Sequence, residues 1–282
     1  MATSELTIPV PVAVDAALTR PIASLRSLLG VEASTEPDAV HRARAATRRL
    51  RSNLRALGDV LDPPDSLRGD LSWVAESLGA VRDADVLAER LHADAATAPE
   101  PVVAGTRALL GAIDELRTAE NDRLRRNVAS VRYGNLIHEL DVLAKEASAG
   151  IGTVEAATVM RPRWRALRDT VDASMRDPSD ASLHEVRIET KRARYAAEIF
   201  LPAGDERCRR FARRATVMQD LLGAQHDAVR ACEWLLAAEL GDAWAARAAG
   251  WYAAAAAAER DALRDAWRPR WRALDRGKAR FW

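Results

Sequence analysis

A pattern of twelve residues occurs twice in this 282-residue chain. Val40-His41-Arg42-Ala43-Arg44-Ala45-Ala46-Thr47-Arg48-Arg49-Leu50-Arg51 returns 143 positions later as Leu183-His184-Glu185-Val186-Arg187-Ile188-Glu189-Thr190-Lys191-Arg192-Ala193-Arg194. Leu78-Gly79-Ala80-Val81-Arg82-Asp83-Ala84 matches Leu222-Gly223-Ala224-Gln225-His226-Asp227-Ala228 at offset 144, and Arg20-Pro21 matches Arg161-Pro162 at offset 141. Three anchors at nearly one spacing restrict the chain to two copies of one unit, joined near Gly150.

The unit is helical. Apolar residues recur at helical spacing nearly throughout. Ala is abundant, β-branched and aromatic residues are sparse, and 14 Gly with 12 Pro punctuate too thinly for a many-stranded sheet. The spacing predicts helices over 12–29, 35–61, 66–80, 83–97, 101–128, 131–149, 155–176, 180–201, 205–223, 226–240 and 242–275, with breaks that include Gly79 and Gly223. No stretch alternates as a half-buried strand does. Arg-Pro-Arg-Trp-Arg-Ala-Leu occurs at both 161–167 and 268–274; its Pro fits the first turn of a helix or a kink, and no function follows from it.

Charge placement carries the functional reading. The net charge is only +1, but a local field depends on clustering. His41, Arg44, Arg48, Arg51 and Arg55 follow one another at +3, +4, +3 and +4, one stripe of a helix running roughly 21 Å. Val40, Ala43, Thr47, Leu50, Leu54 and Leu57 form the adjoining core-facing stripe. Arg42 and Arg49 add charge, and no acid lies between Asp38 and Asp59. Like charges at i, i+4 repel by a few tenths of a kcal/mol, so an unbroken cationic stripe points to an anionic partner. The second copy repeats it as His184, Arg187, Lys191 and Arg194, then departs: Glu198 stands where Arg55 does, and Glu185 and Glu189 dilute the charge. The bland alternative is a solvated face or internal salt bridges. Arg207, Arg210 and Arg214 share another face, which either widens the basic surface through Arg210 and Arg214 or is an ordinary exposed face. Arg supplies the planar donor fork that suits phosphate oxygens.

A phosphate near His41 or His184 favours the imidazolium, so both histidines contribute more at pH 6 than at pH 8. Asp83 and Asp227, each after a Leu-Gly break, read first as helix caps and second as carboxylates orienting a His or Arg. Phosphate-loop, GxGxxG, HExxH and GxSxG motifs are absent, so no catalytic constellation, metal site or cofactor is expected, and the chain reads as a non-enzyme. Two cysteines, 208 and 232, make no disulfide framework and suit a reducing, cytoplasmic setting. No signal peptide or membrane-spanning run is seen.

At these residues the chain resembles the CHAD family, the helical domain named for its histidines. The paired His-x-x-Arg helices carry the likeness, together with Lys191-Arg192-Ala193-Arg194-Tyr195 and Gln219 to Asp227. The resemblance spans about residue 12 to Trp282. It implies an all-α fold: a single domain over 1–282, made of two pseudo-two-fold-related four-helix bundles (about 12–149 and 152–282) with a basic cleft or pore between them. It also implies binding of inorganic polyphosphate and association with polyphosphate granules. Carried over by position, the ligand-facing residues are His41, Arg44, Arg48, Arg51 and Arg55, then His184, Arg187, Lys191, Arg192 and Arg194, with Arg49 beside the first stripe. Many relatives are fused to a triphosphate-tunnel domain carrying ExExK; this chain has no ExExK, so hydrolase activity is not transferred. Nucleic acid is the competing partner, and an enzyme or accessory protein acting on phosphorylated substrates is a third reading. Binding bases takes aromatic platforms, whereas here only Tyr195 lies among the basic residues.

Overall fold

The computed structural model describes residues 6–29, 37–276 and 280–282. It is predominantly helical. A strand, β1 (Thr7–Pro9), leads into α1 (Val10–Val14), and a π turn carries the rod on to α2 (Arg20–Arg26). There follow α3 (Pro37–Ala56), α4 (Gly58–Leu61), α5 (Asp65–Ala95), α6 (Glu100–Val128) and α7 (Val131–Ser148). Then come β2 (Thr153–Glu155), α8 (Ala156–Arg176), α9 (Asp180–Glu198), α10 (Glu206–Ala237), α11 (Ala243–Leu263) and α12 (Arg268–Leu274). The order strand, helix, His-led helix, long helix, closing helix thus runs twice along the chain.

Four expectations need correction. First, the segments predicted on either side of Gly79 and of Gly223 are continuous, as α5 and α10. One glycine costs a helix about 1 kcal/mol, and burial of Leu71, Val74, Leu78 and Val81 on α5, and of Ala215, Met218 and Leu222 on α10, outweighs it. Second, Asp83 and Asp227 therefore lie in mid-helix and cap nothing; α10 is capped by Asp205, which accepts from the Arg207 and Cys208 amides at 2.7 and 3.4 Å. Third, 242–275 is two helices, parted at 264–267, with Pro269 in the first turn of α12. Fourth, a sheet exists, although each strand has only three residues. β1 and β2 pair antiparallel with Ile8 opposite Val154. Each strand buries one side chain, too few for alternation to register in a sequence.

The duplicated Arg-Pro-Arg-Trp-Arg-Ala-Leu segments meet in space. Trp164 of α8 stacks on Trp271 of α12, ring centroids 5.4 Å apart and 23° from parallel. Phe211 packs edge-on against Trp164, and Trp282 lies tilted against Trp164 and edge-on to Phe211. The duplication is accounted for by packing.

The apolar core does not divide at residue 150. One cluster joins Leu50 and Leu54 of α3, Leu136 of α7, Leu167 of α8, Val186 of α9 and Met218 of α10. A second gathers the far ends of the two long helices and the two closing helices: Leu87 and Leu91, Leu235, Leu109 and Ile113, Tyr252 and Ala256. There α6 crosses α11 so closely that a Cβ on Gly105 would overlap the Trp244 carbonyl, and the buried Thr106 and Tyr252 hydroxyls lie 2.8 Å apart.

Candidate functional site

α3 buries the apolar stripe the spacing predicts, from Val40 to Leu57, and Thr47 there spends its hydroxyl on the Ala43 carbonyl. α9 buries Leu183, Val186, Thr190, Ala193 and Ala197. Its start is set by a capping box between Ser179 and Ser182. Both helices therefore turn their cations the same way relative to their cores, and α3 packs against α9.

Four cations come within electrostatic reach of one another: Arg44 and Arg48 from α3, Arg187 and Lys191 from α9. Burial, and then Arg48, hold the Arg44 guanidinium down to about 10. Burial, then Arg187, Arg48 and Arg44, push the Lys191 ammonium down to about 6. Burial also lowers Arg187, with Asp227 opposing and Arg48 assisting. Two carboxylates face the group: Asp83 of α5 accepts from Arg44 at 3.1 Å, and Asp227 of α10 is held above its ordinary value by burial against the pull of Arg187 and Arg44. Of the two readings for these acids, the orienting role is the one their position suits. The buried Nε groups of Arg48 and Arg187 have no hydrogen-bond partner among the described residues. Each such orphaned donor costs on the order of 1–3 kcal/mol.

His184 does not stand alone. Its Nδ1 lies 3.2 Å from Nδ1 of His226 on α10, and the ring centroids are 4.4 Å apart. Burial, then Arg187, pushes the His226 imidazole down to about 3. Burial and Arg187 lower His184 as well. Their surroundings disfavour the charged form of both rings, and at this distance one ring can donate Nδ1–H to the other. In the ligand-free protein burial first, and then Arg187, disfavour the His184 imidazolium, and a bound anion would oppose both. His226 escaped the sequence reading, although its match to Arg82 within a repeated anchor was the signal available. Arg82 itself pairs with Glu89 at 3.0 Å.

The remaining predicted residues scatter. His41 is exposed and, with Arg42 and Arg49, lines a separate cavity. Arg49 donates to Glu198 at 3.2 Å, and Arg194 donates to the same carboxylate at 2.7 Å. Glu198, the departure from the repeat, is thus the counter-charge for both helices. Arg194 also donates to Gln219 at 3.0 Å and lies 4.5 Å over the Tyr195 ring. Arg192 pairs with Glu189 on its own helix. Arg51 and Arg55 are exposed. Burial, then Arg192 and Arg163, lower Arg55, so a smaller basic group of Arg55, Arg163 and Arg192 lies along the stripe. Arg163, from the duplicated segment, was not anticipated; it donates to the Arg55 carbonyl at 2.8 Å. On α10, Asp205 and Glu206 take Arg207, Arg209 and Arg213. Arg210 and Arg214 are half-buried, and the buried Nη1 of Arg214 has no hydrogen-bond partner among the described residues.

No group of three or more His, Cys, Asp or Glu suited to a metal ion occurs among the described residues. No described helix is long and apolar enough to cross a membrane.

The model of the CHAD domain family matches residues 16–236. Two curated proteins of Mycobacterium tuberculosis, the uncharacterized Rv2226 of strain ATCC 25618 / H37Rv and the uncharacterized MT2285 of strain CDC 1551 / Oshkosh, are each 31% identical over 213 residues. The alignment takes in 71% of this chain but 40% of theirs, so the chain spans well under half of their length. Among solved structures, the CHAD domain from the plant Ricinus communis superposes with a TM-score of 0.78 at 26% identity, over 96% of this chain and 94% of that one. PptA from Streptomyces chartreusis gives 0.70 at 20% identity, over 94% and 100%, a likeness of fold.

Proposed function

The chain belongs to the CHAD domain family, and on that premise we propose that it binds inorganic polyphosphate between α3 and α9. One observation carries the reading: Arg44, Arg48, Arg187 and Lys191 converge from two helices, and the buried Nε groups of Arg48 and Arg187 lack acceptors among the described residues. A phosphate chain offers only charge and acceptor oxygens, which are the things this group lacks. The anion satisfies the orphaned donors and offsets the burial, and then the cation repulsion, that discharge Lys191. Binding then takes up a proton on Lys191, and Asp83 and Asp227 hold the guanidiniums in place without filling their donor sets.

In this reading the two helical units are related by an approximate two-fold axis and enclose a basic cleft. The pairing of Ile8 with Val154 at matched starts of the units supports the symmetry. The chain is then a binding protein of polyphosphate granules and no phosphohydrolase. Mg²⁺-dependent phosphate release that disappears in Asp83→Ala or Asp227→Ala would overturn the last point.

The test is titration of labelled polyphosphate at several salt concentrations, with DNA and RNA as competitors. Affinity is expected to fall steeply with salt, as it does for nucleic acids, where each neutralised phosphate adds roughly 0.7–0.9 to the log–log slope. Replacing Arg44, Arg48, Arg187 and Lys191 together by Glu is expected to abolish binding while circular dichroism stays helical. Equal affinity in that folded variant would place the anion elsewhere, and stronger competition by RNA or DNA would point to nucleic acid.

A further inference from the structure

We propose that the cavity between α2, α3 and the end of α9 is a second ligand site, which takes a nucleoside polyphosphate with its base and sugar inside and its phosphates at the mouth. The cavity holds about 680 Å³, within the range of small-molecule sites. It lies on a different face of α3 from Arg44 and Arg48: Arg42, Ala45, Arg49 and Asn53, at helical spacing, form its wall.

The lining is ordered by polarity. Arg20 and Arg42 are exposed cations. Ile199, Leu201 and Pro202 supply apolar surface opposite Ala45. Tyr195 lines the cavity too, its ring already covered by Arg194 at 4.5 Å. Two acceptors complete the lining. Glu198 accepts from Arg49 and Arg194. Asn53, 3% exposed, donates Nδ2 to the Ala17 carbonyl at 2.9 Å, which fixes its amide orientation. Its buried Oδ1 then has no donor among the described residues.

That unfilled acceptor separates this site from the one between α3 and α9. An inorganic phosphate chain at neutral pH is a set of acceptors and has nothing to give Asn53 Oδ1. A base amine or a ribose hydroxyl has. Glu198 is already bridged by Arg49 and Arg194, whereas Arg42 and Arg20, the latter paired with Asp15 at 3.3 Å, are exposed and attract a phosphate at the surface. The apolar wall fits the face of a base and is of no use to a phosphate chain. The occupant this lining selects is therefore anionic at one end, flat and donor-bearing at the other.

The experiment is calorimetric titration of the whole chain with ATP, with inorganic tripolyphosphate and with long-chain polyphosphate, in Mg²⁺-free buffer. ATP is expected to bind about tenfold tighter than tripolyphosphate, the equivalent of one filled buried hydrogen bond. Ala45→Trp, which fills the cavity, should weaken ATP about tenfold and leave long-chain polyphosphate within about twofold. Arg42→Glu, at an exposed position that packing does not need, should also weaken ATP about tenfold. Arg44→Glu combined with Arg48→Glu should spare ATP while losing long-chain polyphosphate, so the two sites fail separately. ATP no tighter than tripolyphosphate, or ATP affinity unchanged in folded Ala45→Trp and in Arg42→Glu, overturns the proposal.

Discussion

Across residues 39–56 of α3 no acid occurs, so its cations take counter-charge from elsewhere: Asp83 of α5 for Arg44, Glu198 of α9 for Arg49. α9 brings its own acids, Glu189 for Arg192 and Glu198 for Arg194. At the crowded centre α3 has Arg48 and α9 has Lys191 at the matched position. A guanidinium keeps its proton when pressed against like charge, whereas an ammonium gives its proton up. The same stripe is therefore permanently charged in one copy and dischargeable in the other. The lesson is that a repeated motif can keep its positions while dividing the electrostatic work.

The strongest way to break this comparison is to reverse each side separately. Arg44→Glu with Arg48→Glu removes two charges present at both pH 5.5 and pH 8. Each charge-assisted bond is worth about 1.5–3 kcal/mol, so polyphosphate affinity at pH 8 should drop roughly a hundredfold or more. Arg187→Glu with Lys191→Glu should cost distinctly less at pH 8, where Lys191 is neutral in the free protein, and about the same at pH 5.5. Losses that stay equal at both pH values, measured by fluorescence titration, contradict the division.

Stability gives the next largest effect. The Lys191 ammonium titrates near 6 in the folded chain, against 10.5 ordinarily. Between those values the unfolded chain binds the extra proton, so the free protein gains stability as pH rises through that window, and below about 6 the gain is absent. Lys191→Met should flatten that slope and stabilise the ligand-free protein by about 1–2 kcal/mol at pH 7, read by urea unfolding at pH 6 and 9.

A finer probe is Lys191→Arg. On the proposed binding, polyphosphate should raise the Lys191 pKa, so wild-type binding is expected to take up a proton at pH 7 and to strengthen as pH falls toward 6, by up to about tenfold per unit. The arginine variant should bind with no such uptake, measured as heat in buffers of different ionisation enthalpy. The smallest change expected is in Glu198→Gln, which releases Arg49 and Arg194 together. Arg194 and Glu198 are largely buried and Arg194 keeps Gln219 as a partner, so the freed charge is mainly that of the more exposed Arg49. That pair contributes about 0.2–1 kcal/mol, and polyphosphate affinity should rise only a few-fold.

Much of this was legible in the sequence, because helical spacing is a one-dimensional signal. The buried faces of α3 and α9, and the cationic faces beside them, follow from counting by threes and fours. The repeat told which residues correspond; it did not tell which of them meet. His226, Arg163 and the Glu198 bridge come from other elements or from across the packing, and no local period announces them. Gly79 and Gly223 misled because the cost of a glycine is local while the burial that overcomes it is tertiary. Trp164 and Trp271 lie 107 positions apart, so the reason for their duplicated segments appears only once they stack. The β1–β2 pair, one buried residue per strand, is below what alternation can resolve.

That small sheet also sets a clock. Ile8 leaves the ribosome 146 residues ahead of the Val154 it pairs with, a wait of roughly 7–30 s at synthesis rates of about 5–20 residues per second. Meanwhile the leading half holds apolar faces on α3 and α6 whose partners on α9 and α11 do not yet exist. Maturation is then a whole-chain event, with the nascent first half dependent on chaperones or on its own helices until β2 arrives to close the ring of contacts.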